Sequence, residues 1–312
     1  MEPILLGVLC GAVAAVAYTG ANMCLRDVAH LDPVWVTSAK TIPTFVISLS
    51  LLIHKAWKGG TVFPSYRVLR WLVLAGLLGQ FGGNLTFQKS LSIVGLALVV
   101  PLTMGTVIAG GAVLGRAWLN EPITRRLLLA MTALIVAIVV LSAGASQANA
   151  TVAEDLAGHI GFGWAFFGVV LACGSGGAYA VLGVVIRKAS AAGASLGATL
   201  FVVSTCGMTA LFPLAWYRIG FDGMLATDAS DLGSMAGAGV FNAVAFFALT
   251  KSLQLIPVVH VNLINASQIA MAAVAGVVWF SEPASPQLAL GVVLTIAGLL
   301  VMDRRIGRRQ KK

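Results

Sequence analysis

The chain has 312 residues, of which 59% are hydrophobic and only 10% charged, against about 25% charged in an ordinary soluble domain. Mean hydropathy is +0.94, and apolar runs recur from residue 3 to residue 302, which argues against a soluble enzyme, a disordered chain or a disulfide scaffold. The net charge of +9 would by itself suit nucleic acid or acidic lipid as a partner.

Ten apolar segments follow one another at 3–24, 33–54, 71–91, 95–117, 124–143, 160–186, 195–217, 232–250, 257–280 and 285–302. Each is close to the roughly 20 residues that cross a bilayer core about 30 Å thick. None alternates as barrel strands do, so every span is expected to be a helix and the fold all-α. The first segment carries Tyr18 and Asn22; Met1-Glu2-Pro3 before it lacks the basic stretch of a signal peptide, so it counts as a span. The second holds Lys40, about seven residues in from one end, or roughly 10 Å deep. The third carries Gln80, Asn84 and Gln88 four residues apart, which places them on one helix face. Pro101 falls early in the fourth segment and Tyr179 in the sixth. The eighth holds Asn242, and the ninth Asn262, Asn265 and Gln268 three residues apart. Pro43, Pro101 and Pro213 lie inside spans and are expected to kink them.

The chain also repeats itself. A shift of 161 residues lays Gly7, Tyr18, Arg26 and Glu121-Pro122 on Gly168, Tyr179, Arg187 and Glu282-Pro283. A shift of 162 lays Lys89-Ser90-Leu91 on Lys251-Ser252-Leu253. Two related units are read, 1–150 and 156–312. Five helices per unit is an odd number, so the second unit enters the membrane from the opposite side. Such inverted repeats build many secondary transporters.

With the N-terminus in the cytoplasm, inner loops and the tail receive sixteen Lys and Arg and the outer side three, Arg26, Lys89 and Arg218. Both termini are therefore expected inside. Counting carboxylates as well, the inner face is +13, the outer face −5, and Lys40 adds one within the membrane. The charge of +9 thus reads as a topology signal, and no nucleic-acid partner is expected.

Lys89-Ser90-Leu91 followed by Glu121-Pro122, and Lys251-Ser252-Leu253 followed by Glu282-Pro283, resemble the two EamA-like repeats of the ten-helix branch of the drug/metabolite transporter superfamily. The resemblance covers essentially the whole chain. It implies that helices one, three, four, six, eight and nine line a central cavity, with five and ten peripheral. It implies transport of a small metabolite, more often export. The Glu-Pro pairs read physically as loop-and-cap devices, proline in a first helical turn and a carboxylate at a positive helix end.

None of the eleven carboxylates sits mid-span, which disfavours both a buried acidic proton carrier and a site for strongly cationic drugs. Lys40 either faces a cavity or snorkels to the interface. Buried amides cost free energy in lipid unless paired, so Gln80, Asn84, Gln88, Asn242, Asn265 and Gln268 are expected to point inward as substrate contacts or interhelical glue. Tyr18 and Tyr179 serve as paired gates, stacking surfaces or packing, and Pro101 as a gating kink. There is no nucleotide-binding GxxxxGK[ST] loop and no HExxH, so neither a cofactor nor a metal is expected. The resulting expectation is a secondary transporter in a bacterial inner membrane. It moves an amino-acid-like, neutral or anionic metabolite by alternating access, with only substrate and membrane lipid as partners and a monomer sufficing. Import or exchange of a phosphorylated or carboxylated metabolite is the alternative, and a lipid-modifying enzyme a remote one.

Overall fold

A computed structural model describes residues 3–60, 62–148, 162–279 and 286–301. The helices are α1 (Pro3–Asp27), α2 (Pro33–Trp57), α3 (Tyr66–Val94), α4 (Leu96–Leu119), α5 (Arg125–Ala148), α6 (Phe162–Ala191), α7 (Leu196–Leu225) and α8 (Ala229–Leu255). They continue with α9a (Val258–Asn265), α9b (Gln268–Trp279) and α10 (Pro286–Val301). Where they are described, all ten predicted segments are essentially helical, and the described residues contain no strand. Seven helices, α1 to α4 and α6 to α8, are long and apolar enough on their own to cross a membrane. The protein is an all-α, multi-pass membrane protein.

The helix boundaries follow from local chemistry. Asp32 caps α2, its Oδ1 accepting from the Val34 and Trp35 amides at 2.9 and 3.2 Å, with Pro33 at the first helical position, where a missing N–H costs nothing. Its other oxygen receives Arg218 at 2.8 Å and so ties the α1–α2 corner to α7. Gly95 joins α3 to α4 in a single residue at φ 74°, a left-handed turn that a side chain would strain. The helical run of α7 is interrupted at Gly220, φ 70°, just past the predicted end of that span.

Packing repeats between the halves. α1 runs along α8, and α6 runs along α3 in the same way. α2 packs on α7 and α5 on α10; α4 lies on α6 as α9 lies on α1. Exchanging each helix with the one five places later reproduces this list, as two copies of one five-helix unit require. The molecule is apolar outside as well as within: Val113, Val139 and Phe166 are each more than 60% exposed, a surface that lipid rather than water covers. Trp57, at the end of α2, and Tyr217, just before the Gly220 interruption of α7, are 85% and 88% exposed, as suits aromatic-belt residues.

Candidate functional site

Besides the Gly220 interruption near the end of α7, two of the described spans depart from regular α geometry, and both do so at polar residues. Within α3, Gly79–Leu85 forms a π-helix, a wider turn that often marks functional positions. The ninth span was expected to be continuous. It breaks at Ala266 and Ser267, where tighter i→i−3 bonds (Ser267 N–H to Ile264, Ile269 N–H to Ala266) replace the regular ladder. Gln80 and Asn84 lie in the first irregularity, while Asn265 and Gln268 flank the second. Helices interrupted near mid-membrane are a recurring means of building transporter binding sites.

These residues surround one cavity of about 120 Å³ between the two halves. Tyr18, Lys40, Gln80, Asn84, Tyr179, Asn242, Asn265 and Gln268 all line it, as do Asn22 and Asn262. Gln88 does not. Its amide is 2% exposed and both polar atoms lack a partner. The four-residue spacing that put it beside Asn84 assumes α periodicity, and the π-segment just before it rotates the following turns out of that register.

Lys40 does not snorkel. It is 4% exposed, and its Nζ donates to Asn84 Oδ1 at 2.8 Å. The same Oδ1 accepts from the Tyr179 hydroxyl at 2.8 Å. Asn84 Nδ2 donates to Gln80 Oε1 at 2.9 Å, and Gln80 Nε2 donates to the Val203 carbonyl at 3.1 Å. A polar chain therefore runs from α2 through α3 to α6 and α7. The Asn84 and Gln80 amides each donate from nitrogen and accept at oxygen within it, which fixes their orientation. Lys40 is the one charged residue among those described lining the cavity, and a single hydrogen bond leaves two of its three N–H groups for another acceptor.

The opposite wall mirrors this chain loosely. Asn22 Nδ2 donates to Gln268 Oε1 at 3.1 Å, Gln268 Nε2 donates to the Asn265 carbonyl at 3.0 Å, and Asn262 Nδ2 donates to the Val107 carbonyl at 3.1 Å. Close approach makes these contacts: a methyl at Gly111 would overlap Asn262 Nδ2, and one at Gly83 would lie 2.7 Å from the Tyr179 ring. Asn265 Oδ1 and Thr44 Oγ1 are buried without partners beside the cavity. No residue of α5 or α10 lines it among those described, in keeping with their peripheral place.

α2 and α7 do line it, through Lys40, Thr41, Thr44, Val203 and Ser204, beyond the six helices that the resemblance implies. A signal existed in the sequence. Thr37, Thr41, Thr44 and Ser48 recur at intervals of four, three and four residues, one helical stripe beside Lys40. Most of these hydroxyls bond to a carbonyl of their own helix, Thr37 to Pro33 and Thr41 to Ser38. This is why a polar stripe can sit in an apolar-reading span.

The EamA-like transporter family model matches the chain twice, over residues 3–143 and 166–303. The chain belongs to the EamA-like transporter family. Among 28 matching chains of solved structures, one crystal structure superposes over 98% of this chain and 99% of its own with a TM-score of 0.71 at 17% identity, a likeness of fold. No curated protein gives a match. The protein is therefore a membrane transporter of small molecules, and the cavity is where its two repeats meet.

Proposed function

We propose that this EamA-like protein is a secondary carrier that binds a small organic anion or zwitterion at Lys40 and moves it by alternating access between the two halves. The observation that carries the reading is the buried ammonium of Lys40. Among the described residues it meets an amide oxygen, Asn84 Oδ1, and no carboxylate. An unpaired charge in a membrane interior is costly and is retained for a substrate or ion. A carboxylate or similar anionic group would accept the two remaining N–H groups. Gln80, Asn242, Asn265, Gln268 and the two tyrosines would present neutral donors and acceptors to the rest of an amino-acid-like molecule. Pro101, in α4 just before the lining residues Thr103 and Met104, is the natural place for that helix to bend during the cycle.

The excess of basic residues at one set of loops supports cytoplasmic termini in a bacterial inner membrane. Export is the direction proposed. The test is counterflow in proteoliposomes with a radiolabelled panel of amino acids, carboxylates, sugar phosphates and organic cations. Saturable counterflow of carboxylates or zwitterions that Lys40→Ala abolishes is expected. Selective counterflow of cations, or transport indifferent to Lys40→Ala in normally inserted protein, overturns the assignment. Preference for phosphorylated solutes with inward flux would favour import or exchange instead.

A further inference from the structure

Glu121 and Arg187 are the residues that match Glu282 and Arg26 across the repeat, and they meet each other rather than serving their own helices. Asn120 ends α4 in a left-handed turn at φ 55°, and the Glu121 N–H returns to the Gly115 carbonyl at 3.1 Å. That turn aims the carboxylate across the molecule. Glu121 Oε2 accepts from the Val258 N–H at 3.0 Å, the first residue of α9a, whose N-cap Pro257 provides no side-chain bond. Glu121 Oε1 lies 3.6 Å from Arg187 Nε. Arg187 Nη1 in turn donates to the carbonyls of Leu253 and Gln254 at 2.8 Å each, at the end of α8. One helix end needs an acceptor and the other a donor, and the pair supplies both to the α8–α9 connection at Ile256 and Pro257. The two side chains are only 11% and 17% exposed. Gly115 leaves the room: a methyl there would stand 3.2 Å from Glu121 Oε2.

Of the expected loop-and-cap role, the carboxylate at a positive helix end is met by Glu121, whereas Pro122 does not lie in a first helical turn. Glu121 caps a helix of the other half, and Pro122 precedes α5, which Thr124 caps through the Leu127 amide at 3.2 Å. Glu282-Pro283 lies outside the described residues.

We infer that Glu121 and Arg187 form a clasp between the halves that holds the mouth at the α8–α9 connection shut, and that this clasp parts whenever the cavity opens to that face. The cavity lies directly behind it, since Ile186 and Leu253, neighbours of the clasped groups, line it. A carrier must break whatever joins its halves at the opening mouth, and here an α4–α5 carboxylate of the first half holds two groups of the second, the Val258 N–H and the Arg187 guanidinium.

The inference rests on the carrier reading, so its test reads accessibility rather than flux. Leu249→Cys, a cavity position on α8, is placed in a background with the four native cysteines replaced. Labelling by a membrane-impermeant maleimide is then timed from each side of oriented vesicles. Glu121→Ala and Arg187→Ala are each expected to speed labelling at least fivefold from the face of the α8–α9 connection and to slow it from the other. The double variant should be no faster than the faster single one. Arg187→Lys, which keeps the charge but loses the forked donation to Leu253 and Gln254, should act in the same direction and serves if alanine variants do not accumulate. Unchanged rates, a rise from both faces together, or additive singles would overturn the clasp. Counterflow by the parent protein is measured in parallel: a one-sided labelling change without any counterflow keeps the clasp and removes the carrier reading, and the converse result does the reverse.

Discussion

Replacing Lys40 by methionine should cost function and add stability, and the opposite signs make the prediction sharp. The side chain is 4% exposed and its ammonium has one neutral acceptor at 2.8 Å. Net values for a hydrogen bond to a charged group are about 1.5–3 kcal/mol, so losing the substrate's contact with the ammonium should weaken binding about 10- to 150-fold. In the empty protein the balance reverses. Methionine has similar length and no charge to desolvate, and removing it orphans nothing, because Asn84 Oδ1 keeps the Tyr179 hydroxyl. Exchange even of a buried ion pair for well-packed apolar groups is often neutral or stabilising by about 1–4 kcal/mol, and the Lys40 ammonium, bonded to a neutral amide, has no Coulombic partner to lose. Thermal unfolding of purified protein in detergent should therefore shift upward while counterflow affinity falls by the stated factor. Wild-type affinity in Lys40→Met, or a lower melting temperature, would refute the view of Lys40 as a charge kept buried for an anion.

Asn84→Asp places a carboxylate on the atom that receives Lys40; it should neutralise the site and shift inhibition profiles from carboxylates toward cations, read by competition in counterflow. Gly207→Ala would set a methyl 2.9 Å from the Gln80 amide and from Thr41 Cγ2; with overpacking costs of about 1–3 kcal/mol, it should lower both thermal stability and transport. Gly176→Ala would overlap the Thr103 carbonyl at the α4–α6 contact, a backbone clash that should cost more stability than Gly207→Ala in the same melt. Burial pushes the Glu121 carboxyl above its ordinary value, outweighing the pull of Arg187 and of the Val258 N–H. The clasped state thus binds the Glu121 proton more tightly than an open, hydrated one, so the pH-dependent part of its stability is fully present below the ordinary carboxylate value and is lost as pH rises through the raised one. The ratio of Leu249→Cys labelling from the clasped face to that from the opposite face, in which the protonation of the thiol itself cancels, should accordingly fall on acidification in that window, and a ratio that rises with acid would contradict it.

The sequence by itself determined what depends on composition and period. Too few charges to cover a water-exposed surface and ten apolar runs of bilayer length leave no alternative to a helical membrane protein, because lipid offers backbone groups no partners. The near-constant offset that pairs Tyr18 with Tyr179 and Arg26 with Arg187 already announces two copies of one unit. Polar faces on α3 and α9 were legible as inward because amides do not face hydrocarbon. Local pattern could not carry matters decided between segments. Gln88 was misplaced because a π-segment turned its helix after Asn84, and helix register is a property of the hydrogen bonds actually made. Lys40 could face a cavity or reach water from its sequence alone; Asn84, 44 residues away, decided it. The Glu-Pro signal was visible, but its target lay 137 residues further on. Only the packing of one half on the other brought that carboxylate to the bare helix end that needed it.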